Sequence, residues 1–366
     1  MEMSLDEKYL RRCLELASKG LGFVSPNPMV GCVIVRNGRV VSEGFHRRFG
    51  GPHAEIEALR KAGRKAKGAS LYVNLEPCAH HGKTPPCVDA IVAAGIKTVI
   101  ACSSDPNPLT SGRGFAALRK AGIRVRAGNL KKESGELNVR FFTFMKSRMP
   151  YVGVKIAQTL DGRSADHRFK SKWITSRAAR KEAHRLRSLY DAILVGAKTV
   201  ERDNPKLTVR HIKGRNPLRV VLDPSLRLNP AKAIFKTVAA GTLVFTSARA
   251  MATRKAKVET LRKCGVFIVG MDRSRPLNLR VILRTLGALG VSSVLVEGGP
   301  YTVGEFLSLR LVHKVHAFVA PRLLGGGLNS MKISPPLALV SSIDLREVSI
   351  RRLGPDILIE GLTWFQ

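Results

Sequence analysis

The feature that most constrains this chain is a set of metal-ligand residues between His53 and Cys87. Glu55 follows His53 by two positions, and Cys78 and Cys87 each come directly after a proline. Imidazole and thiolate are ligands that zinc prefers, and three protein ligands leave a fourth tetrahedral position for water, as catalytic zinc sites require. Glu55 is too close to His53 to be a comfortable second ligand but is well placed to reach that water. The stretch therefore predicts a catalytic zinc site with His53, Cys78 and Cys87 as ligands and Glu55 as the proton shuttle.

The spacing of the two cysteines departs from the usual nucleobase deaminase pattern, in which two residues separate them. Here eight residues lie between Cys78 and Cys87, and they end in the run Gly-Lys-Thr-Pro-Pro. With this longer loop, the segment from Asn74 to Cys87 resembles the deaminase half of the bifunctional riboflavin-biosynthesis deaminase–reductase family. The resemblance implies deamination of 2,5-diamino-6-(5-phosphoribosylamino)pyrimidin-4-one, with zinc activating the water.

Three further residues of the first half match substrate positions of that family. Asn27, between two prolines, corresponds to a contact to the pyrimidine, although a turn asparagine is the alternative. His46 corresponds to a histidine near the substrate. Lys83, in the loop between the cysteines, is expected near the phosphoribosyl end.

The second half resembles the reductase half of the same family, which has a dihydrofolate-reductase-like fold. The resemblance implies reduction of the ribosyl group to ribityl by hydride from NADPH. The matching residues are Lys155 and Asp203 near the hydride-transfer centre, Ser171, Arg187, Leu207, Arg210 and Glu297 at substrate positions, and Ala157, Trp173, Thr199, Asp203, Ser225 and Gly299 at cofactor positions. Arg187 and Arg210 suit a phosphate because a guanidinium can grip it through two hydrogen bonds.

The expected fold class is α/β in two domains, and 366 residues suit that number. The resemblance implies an N-terminal cytidine-deaminase-like three-layer domain over residues 1–149 and a dihydrofolate-reductase-like α/β domain over residues 150–366. The residues of the first half add that strand and helix patterns alternate there, which is typical of a sheet covered by helices on both faces. The individual predictions include helices over 6–19, from His53 to about Ala62, from Cys87 onwards and around 137–149, strands over 71–75, 98–101 and 291–296, and a hairpin turn at Asn37-Gly38.

The composition indicates the cellular compartment in which the protein works. Six cysteines are scattered and form no disulfide framework, so a reducing cytoplasm fits. We expect no membrane span and no secretory signal, since the N-terminus is acidic and lacks an apolar run. The expected partners are the phosphorylated pyrimidine, NADPH and further copies of the chain.

The net charge of +35, from 62 Lys and Arg against 27 Asp and Glu, leaves a second hypothesis open. Such a charge suits a nucleic-acid deaminase whose second domain is a basic RNA-binding module. A third reading keeps one activity and lets the other domain serve as scaffold. We do not expect specific nucleic-acid binding, because aromatic residues are only 6% and do not alternate with basic ones.

The loop over 166–170 is more basic than the family pattern, which predicts altered binding at the rim of the reductase site.

Overall fold

The chain divides into two compact units, residues 1–148 and residues 149–366. The structure is a computed structural model, and it describes residues 4–82, 85–108, 110–272 and 277–365. Among these residues, no helix is both long enough and apolar enough to cross a membrane.

The first unit is a sheet with helices on both faces. Its helices are α1 (Leu5–Ser18), α2 (Ala54–Ala62), α3 (Cys87–Ala93), α4 (Arg113–Lys120), α5 (Lys131–Leu137) and α6 (Val139–Ser147). Its strands are β1 (Gly31–Arg36), β2 (Arg39–Phe45), β3 (Ser70–Val73), β4 (Thr98–Ala101) and β5 (Arg124–Ala127). Within the described residues the order is β2-β1-β3-β4-β5, with β1 antiparallel to both neighbours and β3, β4 and β5 parallel.

Alternation along β1 builds the two hydrophobic layers of this unit. Cys32 and Ile34 pack into a core with α2, α3 and α4, whereas Val33 and Val35 pack on the other face with α1. Successive side chains of a strand point to opposite faces, so a strand buried on both sides must be apolar throughout. The covered sheet that the sequence predicts is therefore present.

Close packing of α2 on β2 fixes the start of α2. A Cβ at Gly44 would lie 2.3 Å from the carbonyl oxygen of Ala54, so only glycine allows this approach. His53 is the N-cap residue of α2, and Glu55 lies in the first turn. The predicted hairpin is also present, with Asn37 and Gly38 at φ of 50° and 71° between β1 and β2.

The second unit is built on a larger sheet. Its helices are α7 (Arg177–Leu189), α8 (Ala197–Asp203), α9 (Ala233–Lys236), α10 (Ala248–Thr253), α11 (Lys255–Lys263), α12 (Leu279–Ala288) and α13 (Pro300–Ser308). Its strands are β6 (Tyr151–Thr159), β7 (Arg163–Ala165), β8 (Ala192–Gly196), β9 (Leu218–Leu222), β10 (Thr242–Ser247), β11 (Val266–Met271), β12 (Ser293–Val296), β13 (Lys314–Ala320), β14 (Leu328–Asn329), β15 (Asp344–Leu353) and β16 (Asp356–Trp364). In the part of the chain described, nine strands pair in the order β11-β10-β9-β8-β12-β6-β13-β16-β15, and β7 pairs separately with β14.

The direction of the strands places one edge of the large sheet at the functional site. The seven strands from β11 to β13 in that order are parallel, and β16 and β15 are antiparallel additions. Thr199, Ser225 and Glu297 each follow the carboxyl end of a parallel strand. Ligands of open α/β sheets bind outside the carboxyl ends of the strands, which is where these side chains meet.

The predicted helix around 137–149 is confirmed as α6. A separate helix, α5, ends just before it, and Asn138 between the two helices has φ −103° and ψ 21°. The predicted strand over 291–296 is shorter than expected and starts at Ser293.

Candidate active sites

Three potential metal ligands converge in the first unit. Nδ1 of His53 and the sulfurs of Cys78 and Cys87 all lie within 4.8 Å of one another. Nδ1 of His53 is 3.2 Å from Sγ of Cys87 and 3.6 Å from Sγ of Cys78. His53 comes from the N-terminus of α2 and Cys87 from the first turn of α3, so two helix N-termini point at one place.

The spacing of these atoms fits a zinc ion. Tetrahedral coordination with Zn–S near 2.3 Å and Zn–N near 2.0 Å separates ligand atoms by about 3.5–3.8 Å. The hydrogen bond from Cys87 lowers the pKa of Cys78, and the same contact together with burial raises the pKa of Cys87. A divalent cation placed between the two thiols would favour the thiolate form of both.

Glu55 is a buried carboxylate beside these ligands. It is 3% exposed, and its Oε2 makes no hydrogen bond to any described residue. Burial raises the pKa of Glu55 above its ordinary value, and the nearby imidazole of His53 opposes that shift. A buried carboxylate oxygen without a partner is costly unless a ligand or water completes it, so the environment suits a proton shuttle.

The cluster lies against a cavity of about 180 Å³ in the first unit. Asn27, His46, His53, Glu55 and Cys78 line it. Nδ1 of His46 lies 2.9 Å from the carbonyl oxygen of Pro52 and must donate to it, so Nε2 can accept from the amide of Asn27 at 3.3 Å. Burial lowers the pKa of His46, which agrees with this neutral form.

Sequence reasoning missed several residues of this cavity. His80, Asn107, Phe141 and Met145 also line it. His80 follows the Pro-Cys pair and was visible in the motif, whereas the other three reach the cavity only through tertiary packing. Lys83, expected near the phosphoribosyl end, lies outside the described residues.

A buried carboxylate holds the loop that carries Asn107. Oε2 of Glu76 accepts the main-chain N–H groups of Asp105 at 3.1 Å and Gly112 at 3.0 Å, and Oε1 accepts that of Phe115 at 3.0 Å. The carboxylate thus satisfies donors at the start of α4, where a negative charge is favoured.

The second unit contains a cavity of about 1050 Å³. The residues expected at the reductase site all line it: Lys155, Ala157, Ser171, Trp173, Arg187, Thr199, Asp203, Leu207, Arg210, Ser225, Glu297 and Gly299. A cavity of this size is large enough for a dinucleotide or a comparably large ligand set.

Glu297 is the electrostatic centre of this cavity. Arg187 donates to its two oxygens at 2.8 Å each, and Nζ of Lys155 lies 3.7 Å away. Burial alone would raise the pKa of Glu297, but the charges of Arg187 and Lys155 lower it to about 2. Burial lowers the pKa of Lys155, and Glu297 opposes that change.

The contacts of Arg187 bear on the phosphate-binding role expected for it. Its Nε and Nη2 are used by Glu297, and Nη1 lies 3.4 Å from the carbonyl oxygen of Thr208. Glu297 thus uses two of the five N–H donors of Arg187, so a phosphate contact would have to use the remaining N–H groups of Nη1 and Nη2. Arg210 is more open, with Nη1 donating to Oγ1 of Thr208 at 3.1 Å.

A buried histidine that sequence reasoning missed supports Arg210. Nδ1 of His184 accepts the main-chain N–H of Arg210 at 3.2 Å, and its ring packs edge-on against His211 at 4.7 Å. Burial, followed by the charges of Arg187 and Arg210, lowers the pKa of His184 to about 4, so the ring is neutral and able to accept.

The remaining contacts join loop and helix residues around the cavity. Oγ of Ser171 donates to Oδ1 of Asp203 at 3.3 Å, and Oγ1 of Thr199 accepts the N–H of Gly299 at 3.2 Å. Trp173 is 64% exposed with the guanidinium of Arg180 over its ring at 4.3 Å, so its other face is open to a planar ligand.

Two family models match this chain. The cytidine and deoxycytidylate deaminase zinc-binding region matches residues 3–103, and the RibD C-terminal domain matches residues 150–359.

Full-length relatives agree with both matches. The riboflavin biosynthesis protein RibD of Aquifex aeolicus is 42% identical over 360 residues, covering 98% of this chain and 99% of the relative. RibD of Escherichia coli is 40% identical over 368 residues, covering 97% and 98%.

Solved structures give the same result. Acinetobacter baumannii RibD, at 35% identity, superposes with a TM-score of 0.90 over 99% of this chain and 100% of its own. A Thermotoga maritima diaminohydroxyphosphoribosylaminopyrimidine deaminase/5-amino-6-(5-phosphoribosylamino)uracil reductase, at 41% identity, superposes with a TM-score of 0.85 over 98% and 99%. The predicted fold class, a deaminase-like domain followed by a dihydrofolate-reductase-like domain, is confirmed.

Proposed function

This chain belongs to the RibD family and is a bifunctional zinc- and NADPH-dependent deaminase and reductase of riboflavin biosynthesis, and from this we propose its substrates and the roles of its residues. The first unit deaminates 2,5-diamino-6-(5-phosphoribosylamino)pyrimidin-4-one. The second reduces the ribosyl group of the deaminated product to ribityl. The Thermotoga relative is a diaminohydroxyphosphoribosylaminopyrimidine deaminase/5-amino-6-(5-phosphoribosylamino)uracil reductase, and its similarity, which extends over almost all of both chains, supports this choice of substrates.

In the deaminase, His53, Cys78 and Cys87 would hold zinc, which supplies Lewis-acid activation of water when bound. Glu55 accepts a proton from the water and returns it to the departing amine. Its buried, unpartnered Oε2 supports this role. Asn27 and His46 orient the pyrimidine.

In the reductase, NADPH supplies the hydride, and the chain's residues position both reactants. Lys155 and Asp203 stand at the sugar, and Arg210 binds the phosphate. We assign Arg187 to holding Glu297, because two of its donors are already used there. Oriented charged groups in a buried site act without reorganising during the reaction.

The remaining assigned residues divide between substrate and cofactor. Ser171 and Leu207 contact the substrate, whereas Ala157, Trp173, Thr199, Ser225 and Gly299 contact NADPH. Their common place around one cavity of about 1050 Å³ supports the division.

The observation that carries the proposal is the His53–Cys78–Cys87 cluster beside Glu55 in one cavity. The test is to strip the purified protein of metal with a chelator and to assay the two reactions separately. Ammonia release from the diaminopyrimidine should stop and return with added zinc, while NADPH oxidation with the deaminated substrate continues. Ammonia release that persists without metal, or a protein inert towards both substrates, would refute the proposal.

A nucleic-acid deaminase with an RNA-binding second domain is the weaker explanation of the basic charge. The RibD C-terminal domain model accounts for residues 150–359, and curated RibD relatives match nearly the full chain. The same relatives argue against a second domain kept only as scaffold.

Location and assembly belong to the proposal as well. All six cysteines are free thiols, which supports the reducing cytoplasm. The edge strand β15 exposes Val348 at 51% and Ile350 at 68%, which supports a homo-oligomer that covers this strand. Sedimentation velocity tests the assembly, since a monomer at micromolar concentration would contradict it.

A further inference from the structure

We propose that Asn138 is a positioning residue of the deaminase, holding the segment that carries Asn27 against α6, a helix that also lines the pyrimidine pocket. The inference rests on the proposed deaminase function. It concerns a residue beyond the zinc-binding region, whose family model ends at residue 103.

The side chain of Asn138 makes two hydrogen bonds to one residue of the segment that carries Asn27. Its Oδ1 accepts the main-chain N–H of Met29 at 2.7 Å, and its Nδ2 donates to the carbonyl oxygen of Met29 at 2.9 Å. Asn138 is 2% exposed, and 109 positions separate the two residues. Because a carboxamide that both donates and accepts fixes distance and orientation together, Met29 has one favoured place relative to Asn138.

A second buried carboxamide strengthens this attachment. Nδ2 of Asn74 donates to the same Met29 oxygen at 3.0 Å, and Oδ1 of Asn74 accepts the N–H of Gly31 at 2.8 Å. Residues 29–31 are therefore held by side chains just where β1 begins. A buried main-chain group left without a partner is unfavourable, so loss of Asn138 should let this segment move.

The segment that moves carries the predicted substrate contacts. Asn27 lies two positions before Met29, and its amide approaches Nε2 of His46 at 3.3 Å. The main-chain N–H of His46 donates to the oxygen of Val30 at 2.9 Å. A shift at Met29 thus displaces Asn27 and His46, which line the cavity.

Asn138 also lies directly before α6, which contributes to the lining of the cavity. Phe141 and Met145 follow it by three and seven positions, so the three residues share one face of α6. Both apolar side chains line the cavity of about 180 Å³. The preceding helix is attached in the same manner, because Oγ of buried Ser134 donates to the carbonyl oxygen of Asn74 at 2.7 Å.

The geometry points to one consequence for catalysis. The hydrogen bonds of Asn138, together with those of Asn74 and Ser134, hold the segment of Asn27 relative to α6. Displacing a substrate-orienting group by about 1 Å can cost a hundredfold in rate, although the displaced group is remote from the reacting bond. Asn138 therefore acts by positioning Asn27 relative to α6, not by touching the metal.

The experiment is a double-mutant cycle on the full-length zinc-loaded protein. Asn138→Ala, Asn27→Ala and the double variant are assayed for ammonia release, with zinc content and NADPH oxidation on the deaminated substrate measured on each sample. Asn138→Asp keeps the volume and the acceptor for the Met29 N–H. Asn129→Ala, at an exposed asparagine, is the matched control.

We expect Asn138→Ala to raise the deaminase KM about tenfold and to lower kcat less, with one zinc per chain and unchanged reduction. The deaminase KM of Asn138→Asp should lie between those of Asn138→Ala and the wild type. Because Asn138 acts through Asn27, the double variant should resemble Asn27→Ala instead of showing the product of both effects.

Three results would overturn the inference. These are wild-type kinetics in the Asn138 variants, effects of Asn138→Ala and Asn27→Ala that multiply independently, or a lower melting temperature with unchanged KM. If Asn138→Ala loses zinc, the KM of Asn138→Asp is the decisive measurement. A raised KM with zinc retained supports a positioning role, and a wild-type KM contradicts it. A wild-type protein that releases no ammonia would instead refute the deaminase proposal itself.

Discussion

Arg187 donates two hydrogen bonds of 2.8 Å to the carboxylate of Glu297, from positions 110 residues apart. The side chains are 13% and 5% exposed. Glu297 is thereby fixed beside Lys155, 3.7 Å away, at the carboxyl end of β12. A buried pair of this kind sets the charge of the cavity, and removal of one member leaves the other uncompensated.

Arg187→Ala should therefore unfold the second unit at lower denaturant. The expected loss in the free energy of unfolding is about 3–5 kcal/mol, because a buried carboxylate loses its main partner. Trp173 and Trp364 both lie in this unit and are the two tryptophans of the chain. Urea unfolding followed by tryptophan fluorescence thus reports on the second unit.

Arg185→Ala is the matched control for that experiment. Arg185 belongs to the same helix, is 41% exposed and pairs with Glu182 at 2.8 Å. Its loss should cost about 1 kcal/mol or less, since exposed pairs contribute little. Equal losses in the free energy of unfolding would show that the Arg187–Glu297 pair stabilises the unit no more than the exposed Arg185–Glu182 pair does.

The second unit should be less stable towards urea in acid than at neutral pH. Burial alone would raise the pKa of Glu297, but Arg187 and Lys155 lower it to about 2, and the hydrogen bond from His316 lowers the pKa of Glu360 to about 2. A carboxyl whose pKa is lower when folded stabilises the fold above its unfolded pKa of about 4.3, and this contribution disappears as the pH falls through the folded pKa. The urea midpoint should therefore decrease steadily from about pH 5 towards pH 2.

Glu360→Gln provides the comparison for this pH dependence. It removes one of the carboxyl groups whose pKa is lowered in the folded state, so the decrease should become shallower than in the wild type. Glu201→Gln, at a glutamate whose side chain is 56% exposed, should leave the slope unchanged. A wild-type midpoint that stays constant over this range would contradict the assignment.

The sequence reveals the parts of these sites that depend on short spacing. His53 and Glu55 are neighbours in one helical turn, and Cys87 opens a helix after two prolines, so their convergence can be anticipated from a motif. Contacts between distant positions are different. The bonds of Asn138 to Met29 and of Arg187 to Glu297 each span more than a hundred residues. Nothing local distinguishes such an asparagine or arginine from a surface residue, because its partner is chosen by packing.

Glu76→Gln should loosen the loop over the deaminase cavity. The glutamate accepts three main-chain N–H groups, and an amide NH₂ cannot accept, so at least one donor loses its partner. We expect a loss of about 1–3 kcal/mol in local stability and a higher deaminase KM, because Asn107 lies in this loop. Hydrogen exchange of residues 105–115 measures the loosening.

Glu136→Gln is the control for this loop, since Glu136 is an exposed side chain of α5. In this variant the amide hydrogens of residues 105–115 should exchange at the wild-type rate. Unchanged exchange over 105–115 in Glu76→Gln would mean that other contacts, not the carboxylate, hold the loop.

Single substitutions at Glu55 and Asp203 should separate the two chemistries. Glu55→Gln keeps the shape of the side chain but removes the proton acceptor, so deamination should fall by about 10²–10⁴-fold. Zinc content should stay near one per chain, because Glu55 is not among the three clustered ligands. NADPH oxidation on the deaminated substrate should continue, because each cavity is lined by residues of its own unit.

Asp203→Ala is the reciprocal variant, and it should deaminate normally while reducing poorly. The carboxylate of Asp203 accepts from Ser171 at 3.3 Å within the large cavity, so its loss disturbs the proposed sugar site alone. Each purified variant is assayed for zinc, ammonia release and NADPH oxidation. If Glu55→Gln lost both activities while its circular dichroism remained that of the wild type, the two sites could not be independent. If it lost its zinc instead, Glu55 would have to be counted among the residues that hold the metal.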